Sequence, residues 1–129
     1  MNPAPIQVID ESDIAAAARH ARQVAESVGF DKVKVSYVAT AASELAANLF
    51  FHGGGGTFAA RLLPDRPGLE LLAIDSGPGI ADIDKALQDG YSTTGSLGFG
   101  LPGVKRLMDE MEIDSQADRG TTVKARKWV

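Results

Sequence analysis

A chain of 129 residues, 44% hydrophobic and 23% charged, fits one domain with one ordinary core and excludes a disordered protein. The net charge of −4 argues against a general nucleic-acid binder, and the absence of cysteine removes disulfides, thiolate metal sites and a thiol nucleophile. No stretch reaches the roughly 18 unbroken apolar residues that a membrane-spanning helix requires.

The opening Met1-Asn2-Pro3-Ala4-Pro5 has neither the basic region nor the apolar run of a secretion signal, so a cytoplasmic location is expected. Ile6-Gln7-Val8-Ile9 reads as a short strand. Glu11-Ser12-Asp13 offers capping groups for a helix from about Asp13 to Val28, with Gly29 as its stop. Asp31 caps a longer helix in which Val38, Ala41, Leu45 and Leu49 recur on one face, ending by His52 at the Gly53–Gly56 run. Thr57–Leu63 and Leu69–Ile74 read as strands joined by Pro64-Asp65-Arg66-Pro67-Gly68, which is turn chemistry.

A short helix is expected near Asp82–Gln88, then a loop rich in Gly, Ser and Thr from Asp89 to Gly98. Leu101, Val104, Leu107 and Met108 mark the buried stripe of a third long helix, with Pro102 tolerated in its first turn. Met111–Ser115 and Thr121–Trp128 close the chain as a hairpin around Ala117-Asp118-Arg119-Gly120. Helices and strands do not alternate strictly. The expected fold is α+β, a two-layer sandwich with a mixed, mostly antiparallel sheet and about three long helices on one face, in a single domain over residues 1–129.

Three places can carry chemistry. Glu44 and Asn48 stand four apart on the second helix and project from the same face. An amide oxygen suits a hard cation such as Mg²⁺, and a carboxylate one turn away can orient or deprotonate an attacking hydroxyl. A solvated Glu and a chance Asn is the plain alternative. Asp75-Ser76-Gly77-Pro78-Gly79 follows directly on an apolar strand, so Asp75 sits at a strand end. Ionised, it only accepts hydrogen bonds, which suits the exocyclic amine of adenine, and Gly77 and Gly79 let the backbone approach a flat ring. Gly95-Ser96-Leu97-Gly98-Phe99-Gly100-Leu101 opens into the third helix, where free N–H groups and the helix dipole make an anion site. Gly98 to Gly103 also spells the dinucleotide fingerprint, but a loop and not a strand precedes it. The P-loop pattern is absent, because Lys105 is out of register.

In this order and spacing the chain resembles the GHKL superfamily of gyrase-type ATPases and sensor histidine kinases. Glu44 and Asn48 match its N box, Asp75 to Gly79 its first glycine box, Gly98 to Leu101 its second, and Gly120-Thr121 its late Gly-Thr. The size is similar to the stand-alone serine/threonine kinases of bacterial sigma-factor regulation. Tyr91 to Gly95 and Gly100 to Glu110 look most like the stressosome-switch type among them.

The resemblance implies the Bergerat ATP-binding fold, ATP and Mg²⁺ as cofactors, and phosphorylation of Ser or Thr on STAS-domain scaffold or antagonist proteins. It also implies activation of a PP2C-type phosphatase by the released kinase. Asn48 would hold Mg²⁺ and Glu44 would act as base or orienter. Asp75 would read adenine with Gly77, Gly79 and Thr121 around the ring. Gly95 and the backbone of Gly98, Phe99, Gly100 and Leu101 would hold the phosphates. Lys105 and Arg106 read as solvent-facing, with added charge near the phosphates as the alternative, and His52 reads as a helix-end packing residue. Two other functions stand beside this one: an anti-sigma factor that sequesters a sigma subunit and phosphorylates an antagonist, and an ATP-dependent binding switch without phosphotransfer. Neither a nucleic-acid partner nor a membrane partner is expected.

Overall fold

A computed structural model describes residues 4–52, 54–75, 100–116 and 120–129. The short helix expected at 82–88 and the whole loop expected from 89 to 98 lie outside the described residues. The elements run β1 (Ile6–Val8), α1 (Ser12–Val28), α2 (Lys32–Phe51), β2 (Gly56–Leu62), β3 (Gly68–Ile74), α3 (Gly100–Leu107), β4 (Glu110–Gln116) and β5 (Gly120–Trp128).

Local chemistry sets most of these boundaries. Asp31 is extended, and its Oδ1 accepts from the Lys34 N–H at 2.8 Å, an N-cap that satisfies one of the free donors opening α2. Gly29 ends α1 at φ +104°, while the Phe30 N–H reaches back to the Ala25 carbonyl and the Phe30 ring goes into the core. The start of α1 departs from expectation. The Asp13 carboxylate reaches backward and accepts from the N–H groups of Ile9 and Asp10, both at 2.9 Å. Those two donors hold its pKa below the ordinary carboxylate value.

The strands form one five-stranded sheet in the order β1-β2-β3-β5-β4, and every pairing among the described strands is antiparallel. The expected sheet was mixed, mostly antiparallel. The described part of α3 is eight residues, shorter than the long helix its apolar spacing suggested.

Alternation along each strand divides the sheet into two faces. Val8, Phe58, Ala60, Leu69, Leu71, Ala73, Val123 and Ala125 point to the helices and are buried. Alanines at 17, 21 and 25 of α1 and 41, 42 and 46 of α2 are fully or almost fully buried in the same core. Small side chains there let the two helices approach closely. The opposite face carries a row of charges: Arg61 pairs with Glu70 at 2.6 Å, and Arg126 bonds Glu70 at 2.9 Å and Glu112 at 3.0 Å.

The strand order positions the functional residues. After β3 the chain crosses to the outer edge as β4, and β5 returns between β4 and β3. That inserts the start of β5 beside the end of β3, with Ile74 opposite Thr122.

Candidate nucleotide site

Two pairs of expected site residues come together, each across a long stretch of chain. Glu44 is only 2% exposed, although the N-terminal half of α2 presents Val33 and Tyr37 to solvent. Packing of α3 against α2 explains the difference. The Glu44 Oε2 accepts from the Gly100 N–H at 3.2 Å, 56 residues away in sequence. A carboxylate at a helix N-terminus meets free N–H donors and the positive end of the dipole. The same kind of donor serves a phosphate. Gly100 has φ +50°, and Leu101, Pro102, Gly103 and Val104 behind it are buried, so the start of α3 is firmly seated. Asn48 lies one turn beyond Glu44, half-buried.

The second pair joins β3 to β5. The Asp75 N–H donates to the Thr121 carbonyl at 2.9 Å, and the Thr121 N–H donates to Asp75 Oδ1 at 3.2 Å. Asp75 is half-buried and Thr121 buried; the first bond fixes the Asp75 main chain at the strand end and the second holds one carboxylate oxygen.

Gly56 shows how the pairs sit relative to each other. A Cβ there would overlap the Ile74 carbonyl oxygen, and would lie 2.9 Å from Leu49 Cδ2 and 3.2 Å from Asp75 Cα. Leu49, the neighbour of Asn48, therefore meets the end of β3 across a glycine with no room for a side chain. The turn before it needs left-handed backbone at Gly54 and Gly55, with φ +72° and +104°. The glycine run after α2 thus brings the Asn48 end of the helix against the Asp75 end of the strand.

Gly77, Gly79, Gly95, Gly98 and Phe99 lie outside the described residues. Lys105 and Arg106 are exposed in the last turn of α3, the end where cations are favourable and opposite to its N–H donors. His52 is exposed at the end of α2, with its main-chain N–H on the Asn48 carbonyl. Phe50 and Phe51 are half-buried and stack edge to face at 4.9 Å; Phe50 packs on the core.

Sequence reasoning missed Ser115. Its hydroxyl lies 2.8 Å from the Thr121 hydroxyl, directly opposite in the β4–β5 ladder. The expected turn at Ala117 to Gly120 would pair Thr121 with Gln116, one position away from the observed register.

Among the described residues no cluster of three or more His, Cys, Asp or Glu could hold a metal ion.

The family model for the histidine kinase-like ATPase domain matches residues 9–127. The chain is 46% identical to the serine/threonine-protein kinase RsbT of Bacillus subtilis, over 96% of this chain and 95% of that one. It is 32% identical to an anti-sigma F factor of Heyndrickxia coagulans, over 68% of this chain and 65% of that one. Its fold is similar to a chain in the crystal structure of the SiaB-SiaC complex from Pseudomonas aeruginosa, with TM-score 0.62 and 14% identity, covering 98% and 89% of the two chains. The chain belongs to the histidine kinase-like ATPase domain family.

Proposed function

We propose that this chain transfers the γ-phosphate of Mg²⁺-bound ATP to a serine or threonine hydroxyl on a STAS-domain partner, with Glu44 as the base. That it is an ATP-dependent serine/threonine protein kinase of the partner-switching type follows from the family and the near full-length similarity to a kinase. The metal, the acceptor and the roles of individual residues are the proposal.

One observation carries the residue assignment: the buried Glu44 carboxylate touches the N-terminal N–H of α3. If that helix start holds the phosphates, the base already stands beside them. In the transfer, the acceptor oxygen forms a bond to the γ-phosphorus as the bond to the β–γ bridging oxygen breaks, leaving ADP. Glu44 takes the hydroxyl proton. Little else is demanded of side chains, because positioning and charge stabilisation supply most of the catalysis in phosphoryl transfer. Mg²⁺, held in part by Asn48, would supply positive charge to the phosphate oxygens. Asp75 would accept from the adenine amine, with Thr121 beside it.

Residues 1–129 would act as one catalytic unit. A cytoplasmic location is proposed from the use of ATP; among the described residues, no helix is long and apolar enough to cross a membrane. Activation of a PP2C-type phosphatase by the released kinase belongs to the same proposal. Sequestration of a sigma factor is the second reading, favoured by the similarity to an anti-sigma F factor. The higher identity and coverage of the RsbT match support the first.

The test is calorimetry with ATP, with and without Mg²⁺, on the wild type and on Asp75→Asn and Asn48→Ala, followed by labelled-phosphate transfer to a STAS-domain protein. Folded variants that lose Mg²⁺-ATP binding support the site. A folded wild type that binds no ATP refutes it, and an unlabelled STAS domain with ATP bound refutes the acceptor.

A further inference from the structure

We infer that Lys127 is a positioning residue for phosphate binding: from β5 it clamps the C-terminal end of α3 and so sets where the first turn of that helix presents its N–H groups. This rests on the reading of that first turn as the phosphate end of the site.

α3 is poorly equipped to hold itself. Two of its eight residues are glycines and one is proline, and a helix so short is marginal in water even with better formers. Its place depends on what grips its ends. At the start, the Gly100 N–H donates to Glu44 Oε2. At the other end, the Lys127 Nζ donates to the Leu107 carbonyl at 2.9 Å and stands 3.6 Å from Asp109 Oδ1. Lys127 follows Val123 and Ala125 on the helix-facing side of β5 and is only 7% exposed, which is unusual for a lysine. The main chain is knitted together at the same place. The Asp109 N–H donates to the Arg126 carbonyl at 2.8 Å, and the Trp128 N–H to Asp109 Oδ2 at 3.0 Å.

Tyr37 fixes the alignment. Its ring centroid lies 5.6 Å from the Lys127 Nζ, within cation–π range. Tyr37 and Glu44 are seven residues apart on α2, as Gly100 and Leu107 are on α3, a rise of about 10 Å in each helix. α3 therefore runs antiparallel along α2, with its start at Glu44 and its end near Tyr37. A buried carboxylate meets the positive end of its dipole and a buried ammonium the negative end.

The ammonium satisfies one of the last carbonyls of α3 and opposes fraying of its final turn. Without it, buried Leu101 and Val104 still keep α3 in the core, but apolar contact is non-directional and lets a short helix shift along its neighbour. Such a shift moves the Gly100 N–H, and a hydrogen bond weakens steeply with misalignment. Asp75 and Thr121 are held by their own bonds at the other end of β5, so the base end is not on this lever.

The experiment measures dissociation constants for Mg²⁺-ATP and for adenosine, by displacement of a fluorescent ADP, on the wild type and on Lys127→Met, Lys127→Arg and Lys105→Met. Thermal melts confirm that each variant is folded. Lys127→Met keeps most of the apolar stem and removes the charge. It should weaken ATP about threefold to tenfold, the range of one charge–dipole contact at a helix end, and leave adenosine unchanged. Lys127→Arg keeps a cation and should restore most of the ATP affinity. Lys105→Met removes an exposed cation from the same end of α3 and should leave both affinities as in the wild type. Should Lys127→Met fail to fold, Lys127→Gln takes its place with the same expectation, since its amide is one atom short of the Leu107 carbonyl. A folded variant at Lys127 that binds ATP as the wild type does, or weakens ATP and adenosine equally, overturns the inference. So does an equal loss in Lys105→Met. Amide exchange separates the two levels, because ATP and not adenosine should slow exchange at Gly100 and Leu101 of the wild type. If it does not, the phosphate-end reading falls and the inference with it. If it does while the neutral Lys127 variant keeps its ATP affinity, the inference alone falls.

Discussion

Substituting Glu44 separates a catalytic carboxylate from a structural one. Glu44→Gln keeps an oxygen that can accept from the Gly100 N–H, now 3.2 Å from Oε2, but removes the group able to take the acceptor proton. A positioned general base contributes about 10²- to 10⁴-fold, so transfer by Glu44→Gln should fall by that factor. Stability should change little, because the link between α2 and α3 survives. Glu44→Ala should lose transfer to a similar degree and also break that link. With the site 2% exposed, the Gly100 N–H loses its carboxylate partner at a cost of about 1–3 kcal/mol. ATP affinity should be unchanged or tighter in Glu44→Gln, since a negative charge has left the neighbourhood of the phosphates. Single-turnover transfer of labelled phosphate, calorimetry with ATP and urea melts read the three quantities separately. If Glu44→Gln transfers phosphate at close to the wild-type rate while Glu44→Ala is destabilised, Glu44 is only a cap for α3 and the assigned base is wrong.

Three further outcomes follow from the fold. His20 Nε2 accepts from the Ala60 N–H at 3.4 Å beside the Phe58 ring, and burial holds its pKa below the ordinary 6.5. The folded chain therefore resists a proton that the unfolded chain accepts, so stability is full above about pH 6.5 and falls as pH drops below it. Urea midpoints between pH 7.5 and 5.5 should show this slope in the wild type and a shallower one in His20→Gln; equal slopes would exclude His20 as its source. Arg126→Gln should cost about 1–3 kcal/mol by chemical denaturation, because Glu70, with its side chain 10% exposed, loses one of two cations. Glu112→Gln, on the exposed side of the same network, should shift the midpoint far less, and equal effects would show that burial of Glu70 is unimportant. Gly56→Ala should destabilise by about 1–3 kcal/mol, since its Cβ meets main-chain atoms that cannot move aside; a neutral melt would show that β2 and β3 can separate there.

Much of the fold was legible where local chemistry decides it. Asp31, Gly29 and the glycine run after α2 are punctuation that acts on its own neighbours, and they bound α1 and α2 as the sequence suggested. The strands were legible from alternation and from Pro64 to Gly68. Strand order was not, because nothing in β5 states that it lies between β3 and β4. The reach-back of Asp13 was read as an ordinary cap, since a carboxylate at a helix start has both options. In the site, Glu44 and Asp75 stood out by their place at a helix face and a strand end. Ser115 carried no signal of its own. A serine in an edge strand means nothing until the register puts it opposite Thr121.

These contrasts share a cause. The contacts that bring site residues together, Glu44 to Gly100 and Asp75 to Thr121, span 56 and 46 residues and join elements that are not consecutive. No local segment contains the site, and the same bonds that close the tertiary structure orient the chemical groups. A crude truncation at either contact therefore confounds function with folding, since activity would fall whether the residue reacts with substrate or merely holds two elements together. Only substitutions that keep the bond and change the chemistry distinguish the two, as Gln does for Glu44. The topology also assigns the labour. The α2–α3 contact places a carboxylate at a helix start, where negative charge is favoured. The β3–β5 contact fixes an acceptor and a hydroxyl at a strand end, where flat polar edges can be read. On the proposed reading one end would take the phosphates and the other the base, and the packed α2 helix meets Gly100 at Glu44 and approaches the end of β3 at Leu49.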